Sequence, residues 1–325
     1  MATIKDVARE AGIAVGTVSR VLNNRGYISE ETRNKVYAAM KKLNYQPNET
    51  ARSLQKKKSN MIGVIVPQIA HPYFAMLISC LEIAAYNSDY RIILLNSQGQ
   101  ETLESEFLKL CRRNQVVGII LCNGNLDIAK IEGLSIPVVT IERKMEGGDA
   151  AIECDNEMGG ELAAQHLIDR GCRHLLHIGG VTNDNMPAEN RGHGFMSRCS
   201  RYPVEARMIH VPFEDYRMQS ADKLLNQFLD ENPEADGIFV SDDILAAELI
   251  KVCLKRGIRI PEDLKIVGFD DTDVAKLISP PLTTVHQPVE EMAEQAINLI
   301  QRMEQGEPAP SRTIFPVELV IRETT

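Results

Sequence analysis

The chain has 325 residues, 44% of them hydrophobic, with 36 Lys and Arg against 45 Asp and Glu and a formal net charge of −9. At ~100–200 residues per domain, this length predicts two or three domains with ordinary buried cores, which excludes disordered and fibrous proteins. The chain has no run of ~18 apolar residues, and Asp6 precedes any apolar stretch, so we expect a cytoplasmic protein without a signal peptide or membrane anchor.

The charge is divided unevenly along the chain. Residues 1 to 60 carry 12 Lys and Arg against five acids, a net +7, while the remainder carries 24 against 40, a net −16. A small basic segment attached to a large acidic one suggests that the basic segment meets a polyanion. A solvated helical surface would give the same charge, so the local pattern must decide.

Three short helices are predicted in the basic segment. A first helix follows a cap at Thr3 and ends at Gly12, a second begins at Val15, and a third runs from a cap at Ser29 to about Leu43. Three short helices with a tight glycine-containing turn between the first two predict a helix-turn-helix, whose second helix enters the DNA major groove.

The motifs T-I-K-D-V-A at 3–8, A-G-I at 11–13 and T-V-S-R-V-L-N at 17–23 together resemble the head of LacI/GalR-family repressors. The resemblance implies that Val15, Gly16 and Arg20 face base edges. Arg20 can make a bidentate contact to guanine, whereas Val15 offers only apolar contact and Gly16 has no side chain. The sequence departs from the family at Ala14, where a Ser or Thr usually caps the helix, and losing that cap should cost about 1 kcal/mol.

Residues 47–59 resemble the family's hinge helix, which folds only on the operator, where paired hinges enter the minor groove. Pro47 breaks the preceding helix, and the following segment is too short and polar to hold a helix alone. Leu54 matches the leucine wedged into the central base step, and Lys56 to Lys58 are expected to contact phosphates. A plain basic linker is the alternative. The residues expected to contact DNA are Thr3, Val15, Gly16, Thr17, Ser19, Arg20, Asn23, Tyr45, Asn48, Ala51, Arg52, Leu54 and Lys56.

Beyond residue 60, short β-rich apolar runs alternate with amphipathic helices in two series. The first series has strands at 61–67, 91–96, 117–122 and 136–141, and the second at 174–179, 206–211, 237–241 and 265–270. We therefore expect an α/β fold with two lobes of doubly wound parallel sheet, which matches the periplasmic-binding-protein-like core of the same family. A further strand-like run at 315–322 carries no leucine heptad, which favours a homodimer over a tetramer.

The expected domains are a helix-turn-helix head at 1–46, a hinge at 47–59 and an effector-binding and dimerisation core at 60–325. Within the core, the N-lobe is expected at about 60–157 and 288–315, and the C-lobe at about 158–286 and 316–325.

Ligands of doubly wound sheets bind beyond the carboxyl ends of the strands. The fourth predicted strand is followed there by Glu142 and Arg143, and the mix of rings, carboxylates, guanidinium and amides suits a polyhydroxylated ligand. The resemblance implies that Arg191 and Asp270 contact the effector. It also favours a sugar, because purine-binding members carry an aromatic residue where Arg143 stands. A helix cap or turn is the alternative role for each. The expected effector contacts are His71, Tyr73, Phe74, Asn96, Asn123, Arg143, Arg191, Asp243, Asp270 and Gln287.

No nucleotide-binding or G-x-S-x-G motif is present, so no catalytic residue or cofactor is expected. Seven scattered cysteines without a C-x-x-C pair predict free thiols. His174 and His177 lie three apart on a predicted strand and so point to opposite faces, which argues against a metal site.

The resemblance therefore implies an allosteric transcriptional regulator, a repressor that binds a near-palindromic operator and responds to a sugar or sugar phosphate. It looks closest to sucrose- or ribose-type repressors of this family. The alternatives are a global catabolite regulator with a phosphorylated carrier protein as corepressor, a sugar-binding protein without DNA binding, and a sugar-processing enzyme.

Overall fold

The computed structural model describes residues 2–22, 26–45, 59–122, 136–143, 150–180, 186–211 and 221–325. The chain divides into two compact units, Met1–Ser59 and Asn60–Thr325. Among the described residues, no helix combines the length and the apolar character needed to cross a membrane. All seven cysteines are free thiols, six of them buried.

The first unit contains α1 (Ile4–Ala11), α2 (Val15–Leu22) and α3 (Glu30–Lys42). Thr3 and the Asp6 carboxylate form a capping box at the start of α1, and Gly12 ends this helix in the left-handed region at φ 67°. Ser29 caps α3 by accepting from the Thr32 N–H. The three helices enclose a small core centred on Val7, Val18, Val21 and Val36.

The N-lobe of the second unit is a six-stranded parallel sheet with strand order β11-β5-β4-β3-β1-β2. Its strands are β1 (Met61–Val66), β2 (Arg91–Asn96), β3 (Gly118–Cys122), β4 (Val138–Ile141), β5 (Ala150–Cys154) and β11 (Arg312–Phe315). Its helices are α4 (Pro72–Asn87), α5 (Glu101–Arg113) and α11 (Val289–Glu304).

The C-lobe sheet has strand order β12-β10-β9-β8-β6-β7, and only the β10–β12 pair is antiparallel. Its strands are β6 (His174–Gly180), β7 (Glu205–Val211), β8 (Gly237–Val240), β9 (Lys265–Asp270), β10 (Thr283–His286) and β12 (Glu318–Val320). Its helices are α6 (Asn156–Asp169), α7 (Glu189–Cys199), α8 (Ala221–Glu231), α9 (Asp243–Lys255) and α10 (Asp273–Leu277). The chain crosses between the lobes after β5, β10 and β11.

The structure corrects the sequence analysis in the strands next to these crossings. The single strand expected over 315–322 is wrong: β11 ends at Phe315 in one sheet and β12 begins at Glu318 in the other. Pro316 lies between them, where its missing N–H removes a ladder donor.

The sequence also did not predict β5 or β10. β5 contains alanine and glutamate, which have weak strand preference, whereas β10 is only four residues long although Thr283, Thr284 and Val285 favour strands. Pairing with parallel neighbours holds both segments as strands.

Candidate DNA-reading helix and effector cleft

Helix α2 presents the residues expected to read bases to solvent. Val15, Gly16 and Arg20 are exposed, whereas Val18 and Val21 on the opposite face are buried in the head core. A Cβ added to Gly16 would meet no atom within 4 Å, so the surface at this position is open. An exposed second helix fixed by a packed three-helix core is the arrangement that a helix-turn-helix uses in the major groove.

The other predicted DNA contacts in the head differ in exposure and in the partners they already have. The Thr3 hydroxyl donates to the Asp6 carboxylate over 2.7 Å, so it already takes part in the cap of α1. Thr17 and Ser19 are partly exposed on α2, and Tyr45 packs against the head core. The remaining predicted contacts lie outside the described residues: Asn23, Asn48, Ala51, Arg52, Leu54 and Lys56.

Arg191, in the first turn of α7, is the central side chain of the cleft between the lobes. Its Nε donates to the amide oxygen of Asn156 over 2.7 Å, and its Nη1 donates to the carbonyl of Ser241 over 2.5 Å. The guanidinium carbon lies 3.6 Å from the centre of the Phe269 ring, a cation–π contact. The side chain is only 7% exposed, so its charge must be compensated within the protein.

Two buried carboxylates, one from each lobe, face this guanidinium. Glu142, directly after β4 of the N-lobe, has its Oε2 4.0 Å from Nη2 of Arg191. Asp270, at the end of β9 of the C-lobe, has its Oδ1 3.7 Å from Nη1. Burial raises the pKa of both carboxyl groups, and the charge of Arg191 opposes that rise. The single charge of Arg191 therefore faces two acidic groups, one from each lobe.

The two carboxylates are fixed by further hydrogen bonds and by unusual backbone. Glu142 accepts from the Cys154 N–H over 2.6 Å and from the Asn156 amide over 3.0 Å, while Asp270 accepts from the Gln287 amide over 2.6 Å. Glu142 and Asp270 have φ values of 52° and 111°, in the region that favours glycine. Such conformations cost of order 1–3 kcal/mol each and cluster at functional sites.

An aromatic wall at the start of α4 completes the described part of the cleft. Phe74 makes edge contacts with the rings of His71 and Tyr73, at 5.6 and 5.2 Å between centroids. The Tyr73 hydroxyl is buried and has no hydrogen-bond partner among the described residues, although it lies within electrostatic range of Glu142 and Asp270. Burial lowers the pKa of His71, so this ring is neutral at pH 7.

Asp243, at the start of α9, is held inside the C-lobe. Its carboxylate accepts from the Thr272 N–H over 2.7 Å, from the Thr272 hydroxyl over 3.0 Å and from the Thr284 hydroxyl over 2.6 Å. Burial raises the pKa of this group to about 7. These bonds tie α9 to the loop after β9 and to β10, so Asp243 positions the segment that carries Asp270.

Three further predicted contacts come from the N-lobe. Arg143 is buried with Glu104 of α5, at 3.5 Å between Nη1 and Oε2. Asn96, at the end of β2, accepts from the Gln98 N–H over 3.4 Å. Asn123 lies outside the described residues.

Three groups that hold Arg191 were not indicated by the sequence: the Asn156 amide, the Phe269 ring and the Ser241 carbonyl. Asn156 follows β5 almost directly, so the rule that polar residues after strands line the cleft would have found it had β5 been recognised. Phe269 lies inside β9, where a ring is indistinguishable in sequence from core packing. Backbone acceptors such as Ser241 leave no side-chain signal.

His177 is part of the core rather than of a metal site. Its ring stacks on Phe239, its Nδ1 donates to the Phe239 carbonyl over 3.2 Å, and burial lowers its pKa to about 3. His174 on the same strand lies 3.5 Å from the Glu205 carboxylate. Within the described ranges, no group of three or more His, Cys, Asp and Glu could hold a metal ion.

A helix-turn-helix head together with a two-lobed α/β core and a buried polar cleft defines a ligand-responsive DNA-binding regulator. A model of the periplasmic binding protein-like domain matches residues 164–325, and a model of bacterial regulatory proteins of the lacI family matches residues 3–48. The chain is 36% identical to the ribose operon repressor of Halalkalibacterium halodurans, over all of this chain and 97% of that protein. It is 37% identical to the sucrose operon repressor of Streptococcus mutans, over all of this chain and 99% of that one.

Among solved structures, the chain is similar to a periplasmic binding protein/LacI transcriptional regulator from Alkaliphilus metalliredigens complexed with D-xylulofuranose. The two are 32% identical with a TM-score of 0.73, over 82% of this chain and 99% of the other. The chain belongs to the lacI family of bacterial regulatory proteins. The expected family, fold class and regulatory function are confirmed, and so is the expectation that the protein is not an enzyme, because its relatives are operon repressors.

Proposed function

We propose that the protein is a cytoplasmic repressor of a carbohydrate-utilisation operon, released from its operator when a small sugar or sugar phosphate occupies the cleft. The observation that carries the proposal is the set of buried side chains between the lobes: a guanidinium that faces two carboxylates, an aromatic wall, and in that wall a tyrosine hydroxyl without a described partner. Vicinal hydroxyls pair with planar bidentate groups, and sugar C–H faces stack on rings. The relatives named as ribose and sucrose operon repressors support the same class of ligand.

The effector contacts of the proposal fall into two groups. Arg191, Asp270 and Gln287 offer polar groups to hydroxyls, while the rings of His71, Tyr73 and Phe74 offer an apolar face. Asp243 and Arg143 are buried against partners of their own lobes and are proposed to position the segments that carry Asp270 and Glu142. Asn96 and Asn123 are proposed as further effector contacts.

On the DNA side, one head per chain cannot span two half-sites, so a homodimer on a near-palindromic operator is proposed. Within each half-site, Val15, Gly16 and Arg20 face base edges, because they are the exposed residues of α2. The phosphate contacts of the proposal are Thr3, Thr17, Ser19, Asn23 and Lys56. The contacts proposed for the hinge are Asn48, Ala51, Arg52 and Leu54, and Tyr45 near the end of the head is proposed as a further contact.

Coupling between the two sites is proposed to pass through the lobes. The facing pair Glu142 and Arg191 belongs to different lobes, so a ligand that inserts between them changes how the lobes pack. That change alters the spacing of the two hinges in the dimer, and operator affinity falls. By thermodynamic reciprocity, operator must weaken ligand binding by the same factor.

The test begins with selection of duplexes from a random-sequence library by the full-length protein, and a near-palindromic consensus is expected. A thermal-shift screen of sugars and sugar phosphates follows, since a ligand at about 100 times its Kd adds about 2.7 kcal/mol of stability. Operator affinity is then measured with and without the stabilising ligand at fixed salt. Unchanged affinity at saturating ligand would contradict the coupling, and random selected sequences would contradict the operator.

A further inference from the structure

We propose that the N-lobe carries a DNA-contacting surface of its own, a basic patch formed by Lys109, Arg112 and Arg113, which binds operator phosphates beside the point where the head joins the core. The patch adds a DNA contact in the effector-binding core to those proposed for the head and hinge, so it goes beyond the proposed function and needs no particular ligand in the cleft. Three features carry it: the shared helix face of the cations, their lack of acidic partners, and their place in the fold.

The three cations share one exposed face of α5. Their spacing, i, i+3 and i+4, places Lys109, Arg112 and Arg113 side by side on the helix surface. All three are exposed, whereas Leu108 and Cys111 on the opposite face are buried in the N-lobe core. The acids of α5 lie in its amino-terminal half, so its last two turns carry positive charge alone.

No acidic side chain pairs with the basic patch within the part of the chain that the structure describes. Other cations of the N-lobe are already engaged. Arg302, near the end of α11, has its Nε 3.6 Å from the Glu307 carboxylate, and the guanidinium carbon of Arg91 lies 4.7 Å from the centre of the Tyr86 ring. The cations of the basic patch therefore remain available to an anion outside the protein.

The basic patch lies at the end of the N-lobe where the chain arrives from the head. The turn after α5 leads to Val117, whose N–H donates to the carbonyl of Met61 over 2.9 Å. Met61 is the first residue of β1, and Asn60 before it is fixed to the core, since its carbonyl accepts from the Arg91 N–H over 3.0 Å. The segment that follows the patch is thus hydrogen-bonded to the residue at which the core begins.

The connection to the head keeps bound DNA close to this end of the N-lobe. Only residues 47–59 separate the head from Asn60, and as a helix they would span about 20 Å at ~1.5 Å per residue. Duplex DNA carries one charge per ~1.7 Å of its axis, so phosphates are dense wherever the hinge enters it. The core as a whole has a net charge of −16, so a cluster of cations at this end runs against its general repulsion of DNA. An acidic protein would not be held near this end in the same way, which favours DNA as the partner.

The ordinary role of basic residues at this position is to stabilise the helix, because cations near a helix C-terminus interact favourably with its dipole. That role predicts a small loss of stability when the charges are removed and no change in DNA binding. Contact with phosphates instead predicts a change in the salt dependence of binding, because each contact releases counterions from the DNA.

The first experiment measures the salt dependence of operator binding by the full-length protein carrying Arg112→Gln and Arg113→Gln. These changes remove two arginines from each chain of a homodimer, so the slope of log K against log salt concentration should become shallower by about 2–4. Operator affinity at about 150 mM salt should fall by about tenfold or more. The variant with Arg112→Lys and Arg113→Lys should keep most of the slope, since lysine also binds phosphate.

The matched control carries Arg170→Gln and Arg173→Gln, which remove two exposed arginines from the C-lobe with the same change in net charge. It should keep the wild-type slope. If the patch variant does not fold by thermal unfolding, Lys109→Gln replaces it and should make the slope shallower by about 1–2. An unchanged slope in a folded patch variant overturns the proposal, and so do equal changes in the patch variant and the C-lobe control.

The second experiment locates the contact on the DNA. Operator duplexes that each carry one uncharged methylphosphonate are bound to the wild type and to the patch variant. At the phosphates that contact the patch, neutralisation should weaken wild-type binding and leave binding by the variant unchanged. A variant that binds more weakly but differs from the wild type at no single phosphate also overturns the proposal. If no consensus duplex is selected, the proposed operator fails, and the slopes measured on a random duplex still decide the role of the patch.

Discussion

The head and the effector cleft place their arginines in opposite environments. Arg20 of α2 is exposed, in a segment of net charge +7, whereas Arg191 of the cleft is buried with a carboxylate from each lobe facing it. The acidic core around that cleft carries a net −16. The formal balance of −9 is thus the sum of a basic DNA-binding segment and an acidic ligand-binding one.

The difference follows from what each partner supplies. DNA brings a dense row of phosphates and releases counterions when cations replace them, so the head can keep its cations in water until it binds. In the cleft, Arg191 is removed from water whether or not a ligand is bound, so its charge must be compensated by the protein itself. Arginines in the two sites should therefore respond differently to substitution.

The largest expected effect is that of Arg191→Ala. Removing the guanidinium leaves Glu142 and Asp270 buried without their cation, which should lower the free energy of unfolding by about 3–5 kcal/mol and abolish the response to ligand. With the cation gone, the pKa of each carboxyl should rise further, so the folded variant binds more protons than the unfolded chain. The deficit relative to the wild type should then grow as pH rises from 5 to 8. Urea unfolding at both pH values measures it.

The matched control is Arg259→Ala, which removes an exposed arginine paired with Asp263. Its effect should be much smaller and nearly independent of pH over the same range, because water screens an exposed pair. Equal losses in the two variants would show that burial of Arg191 has no special cost.

The next effect in size is that of Arg20→Ala on DNA recognition. Loss of a bidentate guanine contact should reduce the preference for the selected operator over random duplex by about 5- to 150-fold, while random-duplex affinity falls little. Replacing Lys56 to Lys58 with Ala should instead weaken both duplexes and flatten the salt dependence. Competition binding at several salt concentrations measures the two patterns.

Lys35→Ala serves as the control for charge alone, since Lys35 lies on α3 in an exposed pair with Glu31. It should leave the preference for the operator intact. An Arg20→Ala protein that keeps full selectivity would contradict the assignment of α2 as the reading helix.

A smaller effect is expected on the pH dependence of stability when His177 is replaced. Its ring packs against Gly192, the residue after Arg191. Burial lowers its pKa to about 3, whereas an unfolded histidine titrates near ~6.5. Below that value the unfolded chain binds a proton that the folded chain does not, so stability is lost as pH falls from 6.5 toward 3. The wild type should lose about 1 kcal/mol between pH 7.5 and 5.5 from this group, and His177→Gln should remove that part of the pH dependence.

The contribution of His177 can be separated from those of Asp243 and His174. Asp243, whose pKa burial raises to about 7, contributes in the opposite direction in both proteins and cancels in the comparison. His174→Gln on the same strand changes a side chain that is 41% exposed and should leave the pH dependence nearly as in the wild type. A His177→Gln protein with the wild-type pH dependence would contradict the buried neutral ring.

The sequence predicts the elements with strong local signals. The caps at Thr3 and Ser29 and the turn at Gly12 place the helices of the head within a residue or two, because side-chain capping and a positive φ are local requirements. Apolar runs such as β1 and β3 are equally visible. By contrast, β5 contains alanine and glutamate and β10 is only four residues long, so pairing with neighbouring strands holds them in the sheets where the local pattern is too weak or too short to predict them.

The candidate site was predictable to the same extent. Arg191 and Asp270 lie in stretches of sequence that match the family, and in the structure Nη1 of Arg191 is 3.7 Å from Oδ1 of Asp270. The Glu142 carboxylate, the Asn156 amide and the Phe269 ring complete the surroundings of Arg191, but their roles depend on contacts between segments far apart in sequence. Charge compensation is a tertiary property, so a sequence indicates the charged residues but not their partners.

The smallest expected effect is that of Ala14→Ser, which tests whether the start of α2 lacks a cap until DNA phosphates bind there. Helix α2 begins after Ala14, which has no side-chain oxygen, while its carbonyl accepts from the N–H groups of Thr17 and Val18 at 2.9 and 3.2 Å. Ala14→Ser should stabilise the free head by about 0.5–1 kcal/mol by supplying a cap, measured as slower amide exchange in α2. Operator affinity should rise less than this, since phosphates on DNA can supply the same partners at a helix N-terminus. Thr3→Ala removes an existing cap, so it should lower the stability of the head. If Ala14→Ser left amide exchange in α2 unchanged, the missing cap would not be a source of instability at this helix end.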